Sequence, residues 1–175
     1  MEDLQPESAA LRDARAIAAR VAEDEAAATA ARRQYQTKGL PALEPPAGFA
    51  PLALAGEVLH ATRANALLER TLIAAPTPLA QAGTLYLSSE RLLHVGPETT
   101  SVPLSEIDEM AVALERLFLV RLRDGTHLAI ETDRPRLLRV QVAAALAATR
   151  VSKVAEPSTA ATGQPESQSA GQSPG

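Results

Sequence analysis

The chain has 175 residues, a net charge of −4, no cysteine and no tryptophan. Without cysteine it forms no disulfide and no thiolate metal site. Between Pro51 and Lys153, eleven acidic residues balance eleven basic ones. Binding to a nucleic-acid backbone needs clustered positive charge, so this balance argues against a nucleic-acid partner.

The N-terminal stretch "MEDLQPESAALRD" is acidic and lacks the apolar core of a secretory signal. No stretch of the sequence approaches the roughly 20 apolar residues that span a bilayer. We therefore expect a cytoplasmic protein.

Residues 1–38 are predicted to form a charged, Ala-rich N-terminal helix, because residues 7–36 hold strong helix formers and neither Gly nor Pro. The apolar stripe of this helix is thin, and Glu25 interrupts it. The stripe consists of Leu11, Ala14, Ile17, Ala18, Val21 and Ala28. This pattern favours a solvated, marginally stable helix. The alternative is a helix that docks on a partner or on its own domain.

Two segments of biased composition flank the rest of the chain. Residues 39–51, "GLPALEPPAGFAP", are predicted to be a Pro-rich linker, and residues 154–175 a disordered tail of low complexity. Large apolar residues concentrate between Leu52 and Val151, so residues 52–153 are predicted to be the folded domain.

Within this domain, short apolar runs alternate with turn signals such as Ser88-Ser89. The predicted strands are 57–66, 68–74, 83–88, 91–95, 100–103, 107–114, 117–123 and 126–132. Short strands at this spacing predict an antiparallel sandwich or a small barrel.

The hairpin that turns at Gly125 allows its register to be predicted. A two-residue turn would place the large apolar residues of the two strands on opposite faces. A three-residue loop instead pairs Val120 with Leu128 and collects these residues on one face, with Gly125 in the left-handed conformation. Leu117 and Leu119 then point outward. Two outward leucines predict a patch that is covered by the N-terminal helix or by a partner.

The last predicted element is an amphipathic helix that packs one face on the sheet. Asp133 is a plausible N-cap, and Pro135 lies in the first turn. The apolar stripe consists of Leu138, Val142, Ala145, Leu146 and Thr149, and the arginines expected to face solvent are Arg136, Arg139 and Arg150.

The order "GTLYLSSERLLHVG", "TTSVPLSEIDEMAV", Gly-containing hairpin and terminal helix resembles the GRAM and bacterial pleckstrin-homology-like (PH-like) domain family. The matching positions are Gly83, Leu85, Leu87, Ser88, Arg91, Leu92, Val102, Pro103, Leu104 and Ile107. The resemblance extends over roughly residues 56–150.

This resemblance implies a mainly β (α+β) fold: an antiparallel barrel or sandwich of about seven strands, capped by the C-terminal helix. The N-terminal helix precedes it as a separate element. Members of the family are mostly not enzymes and bind membrane lipids or proteins. The phosphoinositide-binding kind carries a basic cluster in the first inter-strand loop. This sequence has only Arg63 and Arg70 near that place, a departure that puts specific phosphoinositide binding in doubt.

No pattern in the sequence predicts an enzyme, a metal site or a cofactor. His60, His94 and His127 lack metal-ligand spacing, and we expect them at the surface or its boundary. A Gly-x-Ser-x-Gly nucleophile motif is missing. The acidic run "EIDEM" lacks the ligand spacing and central Gly of a calcium loop.

We therefore predict a non-catalytic protein-interaction module whose outward Leu117 and Leu119 form the partner-binding patch. The alternative is a peripheral membrane module that binds anionic lipid. Its candidate anionic-ligand contacts are Arg63, Arg70, Arg91, Arg136 and Arg139.

Overall fold

A computed structural model describes residues 9–71 and 79–155 of the chain. Two helices, α1 (Ala9–Lys38) and α2 (Pro135–Ala155), flank seven strands. The strands are β1 (Leu59–Thr71), β2 (Leu79–Ser88), β3 (Arg91–Val95), β4 (Thr99–Pro103), β5 (Ile107–Ala113), β6 (Leu117–Leu122) and β7 (His127–Glu131). Within these ranges, no helix is both long and apolar enough to cross a membrane. The predicted tail, from residue 156 onward, lies outside the described residues.

All seven strands form one antiparallel sheet in the order β4-β3-β2-β1-β7-β6-β5. Val102 and Ile107 lie in the two edge strands, yet both belong to the same buried cluster as Leu138 of α2. The sheet therefore curls around a single core that α2 closes. This confirms the predicted architecture, an antiparallel sandwich of seven strands with a C-terminal helix.

The first two predicted strands are one long strand, β1. Its pairing with β2 shifts between Arg63 and Ala66, where Asn65 has a left-handed backbone with φ of 55°. The predicted break at Leu67 follows a β-bulge, which leaves residues unpaired without ending the strand. Residues 72–74, the end of the second predicted strand, lie outside the described residues.

The predicted register of the β6–β7 hairpin is confirmed. Val120 pairs with Leu128 and Phe118 with Ile130, so the large apolar residues share the core face. Gly125 closes the loop with φ of 83°, a conformation that costs glycine little.

The predicted linker is folded onto the sheet. Leu43 forms a bridge with Leu59, and Phe49 is completely buried. The rings of Phe49 and Tyr86 lie 5.3 Å apart and, with Leu93, form a second small core. This cluster seals the outer face of β1, β2 and β3.

The Asp24 carboxylate joins α1 to α2. It is 3% exposed and accepts the backbone N–H groups of Arg136 (2.9 Å) and Leu137 (3.0 Å). These are amides at the start of α2 that have no partner within the helix. The prediction that Asp133 caps α2 is wrong, because Asp24 takes these amides, and the Asp133 carboxylate instead accepts from the Thr132 hydroxyl.

Small residues of α1 make the rest of the contact with α2. Ala28 and Ala31 are buried against Val140, next to Tyr35 and Leu137. The favoured interpretation of α1 as a solvated, separate helix is therefore wrong, and docking on its own domain is correct. The buried residues of α1 are two alanines and one aspartate, so the thin apolar stripe in the sequence, which shares only Ala28 with them, did not predict this contact.

Replacing Asp24 by Ala is expected to lower the free energy of unfolding by about 2 kcal/mol, because two buried N–H groups lose a charged acceptor. Asp24→Asn keeps one acceptor oxygen and should cost less. Equilibrium urea unfolding measures both changes. Asp13→Ala, an exposed aspartate of the same helix, is the control, and an equal loss in that variant would contradict the capping role.

Candidate functional site

The predicted patch lies on the outer face of the sheet, where Leu117 and Leu119 are half-buried neighbours on β6. Leu119 lies between alanines of β5 and β7. Leu117 pairs with Glu131, which also pairs with Leu67 on its other side. Leu67 is 38% exposed on the same face. We call Leu67, Leu117 and Leu119 the outer leucine face.

The sequence analysis missed Leu67, because it fell in the gap between two predicted strands. The register shift between Arg63 and Ala66 places Ala66 and Leu68 in the core and leaves Leu67 outward. The sequence does carry a signal for an outward leucine here. Leu67 and Leu68 are adjacent, and neighbouring residues in a strand point to opposite faces of the sheet, so only one of them can face the core.

Charged side chains lie around the outer leucine face and, in the case of Glu131, between Leu67 and Leu117, with an excess of acidic groups. They are Glu69, Asp108, Glu109, Arg116, Arg121 and Glu131. Arg121 lies 2.6 Å from Asp108 and 3.1 Å from Glu109, and Arg116 lies 3.2 Å from Glu131. Because both cations are paired with acids, this border presents negative rather than positive charge.

The outer leucine face is not the docking place of α1, because α1 packs on α2. Helix α2 itself approaches the sheet from the inner side, through Leu138 and Val142. The predicted cover by the N-terminal helix is therefore wrong. The other predicted cover of the outer leucine face, a partner, stays a prediction.

Arg91, a candidate anionic-ligand contact, is engaged within the protein. Its Nε and Nη2 donate to the two carboxylate oxygens of Glu57 at 2.9 and 3.1 Å, and Nη2 also donates to the Leu52 carbonyl at 2.6 Å. Glu57 further accepts from the Ser88 hydroxyl (2.6 Å) and the Leu54 amide (2.7 Å). This network ties the segment before β1 to the β2–β3 turn.

The Glu57 side chain is fully buried. The sequence analysis gave Glu57 no role, because its partner Arg91 lies 34 residues away in the chain and no local pattern connects the two. Burial alone would raise the pKa of Glu57, but hydrogen bonds from Arg91, the Leu54 amide and Ser88 lower it. The predicted turn role of the serines is confirmed, since Ser88 Oγ accepts the amides of Glu90 and Arg91.

Arg63 and Arg70 both belong to β1 but lie in different surroundings. Arg63 lies near α2, where Nη2 donates to Gln141 at 2.8 Å, and Nη1 donates to the Thr62 carbonyl at 2.9 Å. Arg70 is exposed near the end of β1, next to residues 72–78.

Arg136 and Arg139 lie one turn apart on α2. Arg136 is bound by α1, since its Nε lies 3.3 Å from Glu25 Oε2. Arg139 is exposed and lines the groove between the helices together with Arg32. The five candidate arginines therefore do not form one basic surface: Arg63, Arg91 and Arg136 are paired with carboxylates, and Arg70 and Arg139 lie on different elements.

The prediction that all three histidines lie at the surface or its boundary is wrong for His94, which is 2% exposed. Its Nε2 lies 3.2 Å from the Ala66 carbonyl oxygen. Strand β3 is covered on both faces, by the main core and by the Phe49 cluster, so its polar residue is enclosed as well. Within residues 9–71 and 79–155, no group of three or more acidic or histidine side chains is placed to hold a metal ion.

No protein-family model and no curated protein matches the chain. Three solved structures are similar in backbone course. The N-terminal PH domain of Vps36 is 12% identical, with 63% of this chain and 95% of that chain covered and a TM-score of 0.46. The C-terminal domain of an unknown protein from Leishmania infantum is 16% identical (56% and 91% covered, TM-score 0.40). The N-terminal PH domain of human ARAP2 is 16% identical (60% and 90% covered, TM-score 0.36).

The Glu57–Arg91 network predicts a loss of stability in acid. The pKa of Glu57 is lower in the folded protein than its ordinary 4.5, so its contribution is complete above pH 4.5 and is lost as the pH falls through the folded-state value. Glu57→Gln should lower the free energy of unfolding by about 2 kcal/mol at neutral pH, because the largely buried guanidinium of Arg91 exchanges a bidentate carboxylate partner for a neutral amide.

Urea unfolding between about pH 7 and about pH 3 tests this, since the variant should show a shallower decline in stability with acid. The exposed Glu90, in the same turn, supplies the control Glu90→Gln. If both variants follow the pH profile of the unchanged protein, the network does not control acid stability.

Proposed function

We propose that the chain is a non-catalytic, cytoplasmic protein-interaction module of the PH-like or GRAM-like kind. It binds a protein partner through the outer leucine face. One observation carries the proposal: the protein seals one outer face of its sheet with Phe49 but leaves Leu67, Leu117 and Leu119 partly accessible on the other. An apolar surface of this sort is stabilised when a partner removes it from water.

The border of the outer leucine face defines the chemistry of the partner. Four acidic and two basic side chains surround the leucines, and both basic ones are paired with acids. A complementary surface presents apolar side chains flanked by Lys or Arg, because opposite potentials across an interface favour the correct partner. The same border repels an anionic bilayer.

The positions of the candidate arginines support the anionic-lipid alternative less well than the outer leucine face supports a protein partner. Arg91 is held by Glu57 and Arg136 by Glu25, so neither guanidinium is available without breaking an ion pair. Attraction to an anionic leaflet is worth about 1 kcal/mol per basic residue near the surface, and it needs those residues on one side. Arg70 and Arg139 are exposed but lie on different elements.

Leu119→Asp is expected to weaken partner binding at least tenfold, since it buries a charge in the centre of the apolar contact. The partner is captured from cells of the source organism, and its dissociation constant is then measured by calorimetry for each variant. The control is Leu114→Asp, because Leu114 is 78% exposed in the β5–β6 turn and lies off this face.

Circular dichroism first establishes that Leu119→Asp is folded, and Leu117→Ser serves as a milder second change. Equal affinity of the Leu119 and Leu114 variants would exclude the outer leucine face as the binding surface.

Sedimentation with neutral and anionic vesicles, at low and at moderate salt, tests the alternative. We expect no binding to either kind of vesicle. Salt-sensitive binding to anionic vesicles alone, lost in Arg70→Gln or Arg139→Gln, would replace the protein-partner proposal with the lipid one, because exposed charges are screened by salt.

A further inference from the structure

A groove with a volume of about 760 Å³ lies between the end of α1 and the second half of α2. Its lining is mainly apolar: Ala143, Ala147 and Val151 come from α2, and Leu40 comes from the chain just after α1. Val151 is 71% exposed, so this apolar lining is open to water. Apolar surface of this kind on a folded protein marks a place where another surface can dock.

The groove exists because α1 covers only part of α2. The buried cluster between the two helices, which includes Ala31, reaches no further along α2 than Val140. Helix α1 ends at Lys38, whereas α2 continues for several more turns. Residues 143, 147 and 151 follow at intervals of four, which places them on one side of α2 beyond this cluster.

Two exposed guanidinium groups, those of Arg32 on α1 and Arg139 on α2, line the same groove. Neither has an ion-pair partner among residues 9–71 and 79–155, and no acidic residue from these ranges lines the groove. The sequence explains this, because neither α2 nor residues 29–38 of α1 contain an acidic residue. We call this apolar groove with its two arginines the helix groove.

The outer leucine face is the counterpart of the helix groove in both charge and shape. Four acidic and two basic side chains lie around its leucines, and both basic ones are paired with acids. The face lies on the outer side of a sheet that curls around its core, so it is convex, whereas a groove between two helices is concave. The partner surface expected for this face is apolar and flanked by Lys or Arg, and the helix groove has that composition.

We propose that the outer leucine face of one copy of this chain docks in the helix groove of a second copy. The leucines lie against Ala143 and Ala147, whose small side chains leave room for them, and the acidic side chains around the leucines approach Arg32 and Arg139. The inference rests on the proposed function, since it names a second copy of the chain as the partner of the outer leucine face.

This contact joins two different surfaces, so it can repeat. The outer leucine face and the helix groove share no residue, and each copy can therefore offer its face to one neighbour and its groove to another. A head-to-tail contact of this kind forms a ring when the rotation closes and a filament when it does not. Because opposite charges help to align the two surfaces, the association weakens as salt screens them.

Sedimentation velocity of the full chain between about 1 µM and about 1 mM measures this association. We expect species larger than a dimer at the upper end of this range, and fewer of them at high salt. Leu119→Asp disables the outer leucine face, and Arg32→Glu with Arg139→Glu disables the helix groove. Each change should weaken self-association at least tenfold.

The matched control for the charge reversal is Arg12→Glu with Arg123→Glu. It makes the same change in net charge at two exposed residues outside both surfaces, and it should leave self-association unchanged. Circular dichroism establishes that each variant is folded, and Leu117→Ser replaces Leu119→Asp where the latter is not.

An equimolar mixture of the leucine-face variant and the groove variant tests the head-to-tail geometry directly. The first keeps its helix groove and the second keeps its outer leucine face, so the mixture should form a one-to-one heterodimer that neither variant forms alone. This heterodimer has no competent surface left and should not grow further. A mixture that stays monomeric overturns the proposal, and so does a full chain that is monomeric over the whole concentration range.

The failure of this inference is distinguishable from the failure of the proposed function. A monomeric full chain, together with a captured protein whose binding Leu119→Asp weakens, overturns self-association and keeps the outer leucine face as a binding surface. Self-association that the groove variant abolishes but Leu119→Asp leaves unchanged overturns the docking proposed here, since another surface then occupies the groove.

Discussion

The contact on which the arrangement of this protein depends is the bond between the Asp24 carboxylate and the first amides of α2. A helix start leaves several N–H groups without partners, and here the acceptor comes from another helix, 112 residues earlier in the chain than Arg136. This bond fixes where α1 lies on α2. The position of α1 on α2 in turn leaves the outer leucine face free of this helix.

The two outer faces of the sheet show how the protein divides its apolar surface. On β1, β2 and β3, Phe49 and the segment around it cover Tyr86 and Leu93, and the Glu57–Arg91 pair fastens that segment in place. On β5, β6 and β7, residues 9–71 and 79–155 supply no comparable anchor, and acidic side chains lie around and between the leucines. The first face contributes to folding, and the second is the surface that we propose for partner binding.

Much of the fold could be predicted from the sequence, because the patterns that specify it involve residues close together in the chain. Alternation and Gly125 specify the register of β6 and β7, and the apolar stripe of α2 specifies which face meets the core. The remaining features depend on partners distant in sequence. Asp24 and Glu57 look like ordinary solvated acids until Arg136 and Arg91 are brought beside them. A bulge moved Leu67 outward, and His94 is buried on the same face of β3 as Leu92, with its Nε2 3.2 Å from the Ala66 carbonyl oxygen.

The buried ring of Phe49 also determines how much of the chain must fold together. Phe49 lies ahead of the first strand, in a segment whose composition is that of a spacer. Removing a fully buried phenylalanine side chain typically costs about 3–5 kcal/mol, a large part of the stability of a domain of this size. A fragment cut where the strands begin would therefore lack one of its own core residues. The cooperative unit therefore includes the Pro-rich segment, so this segment cannot lengthen or swing as a tether between α1 and the strands.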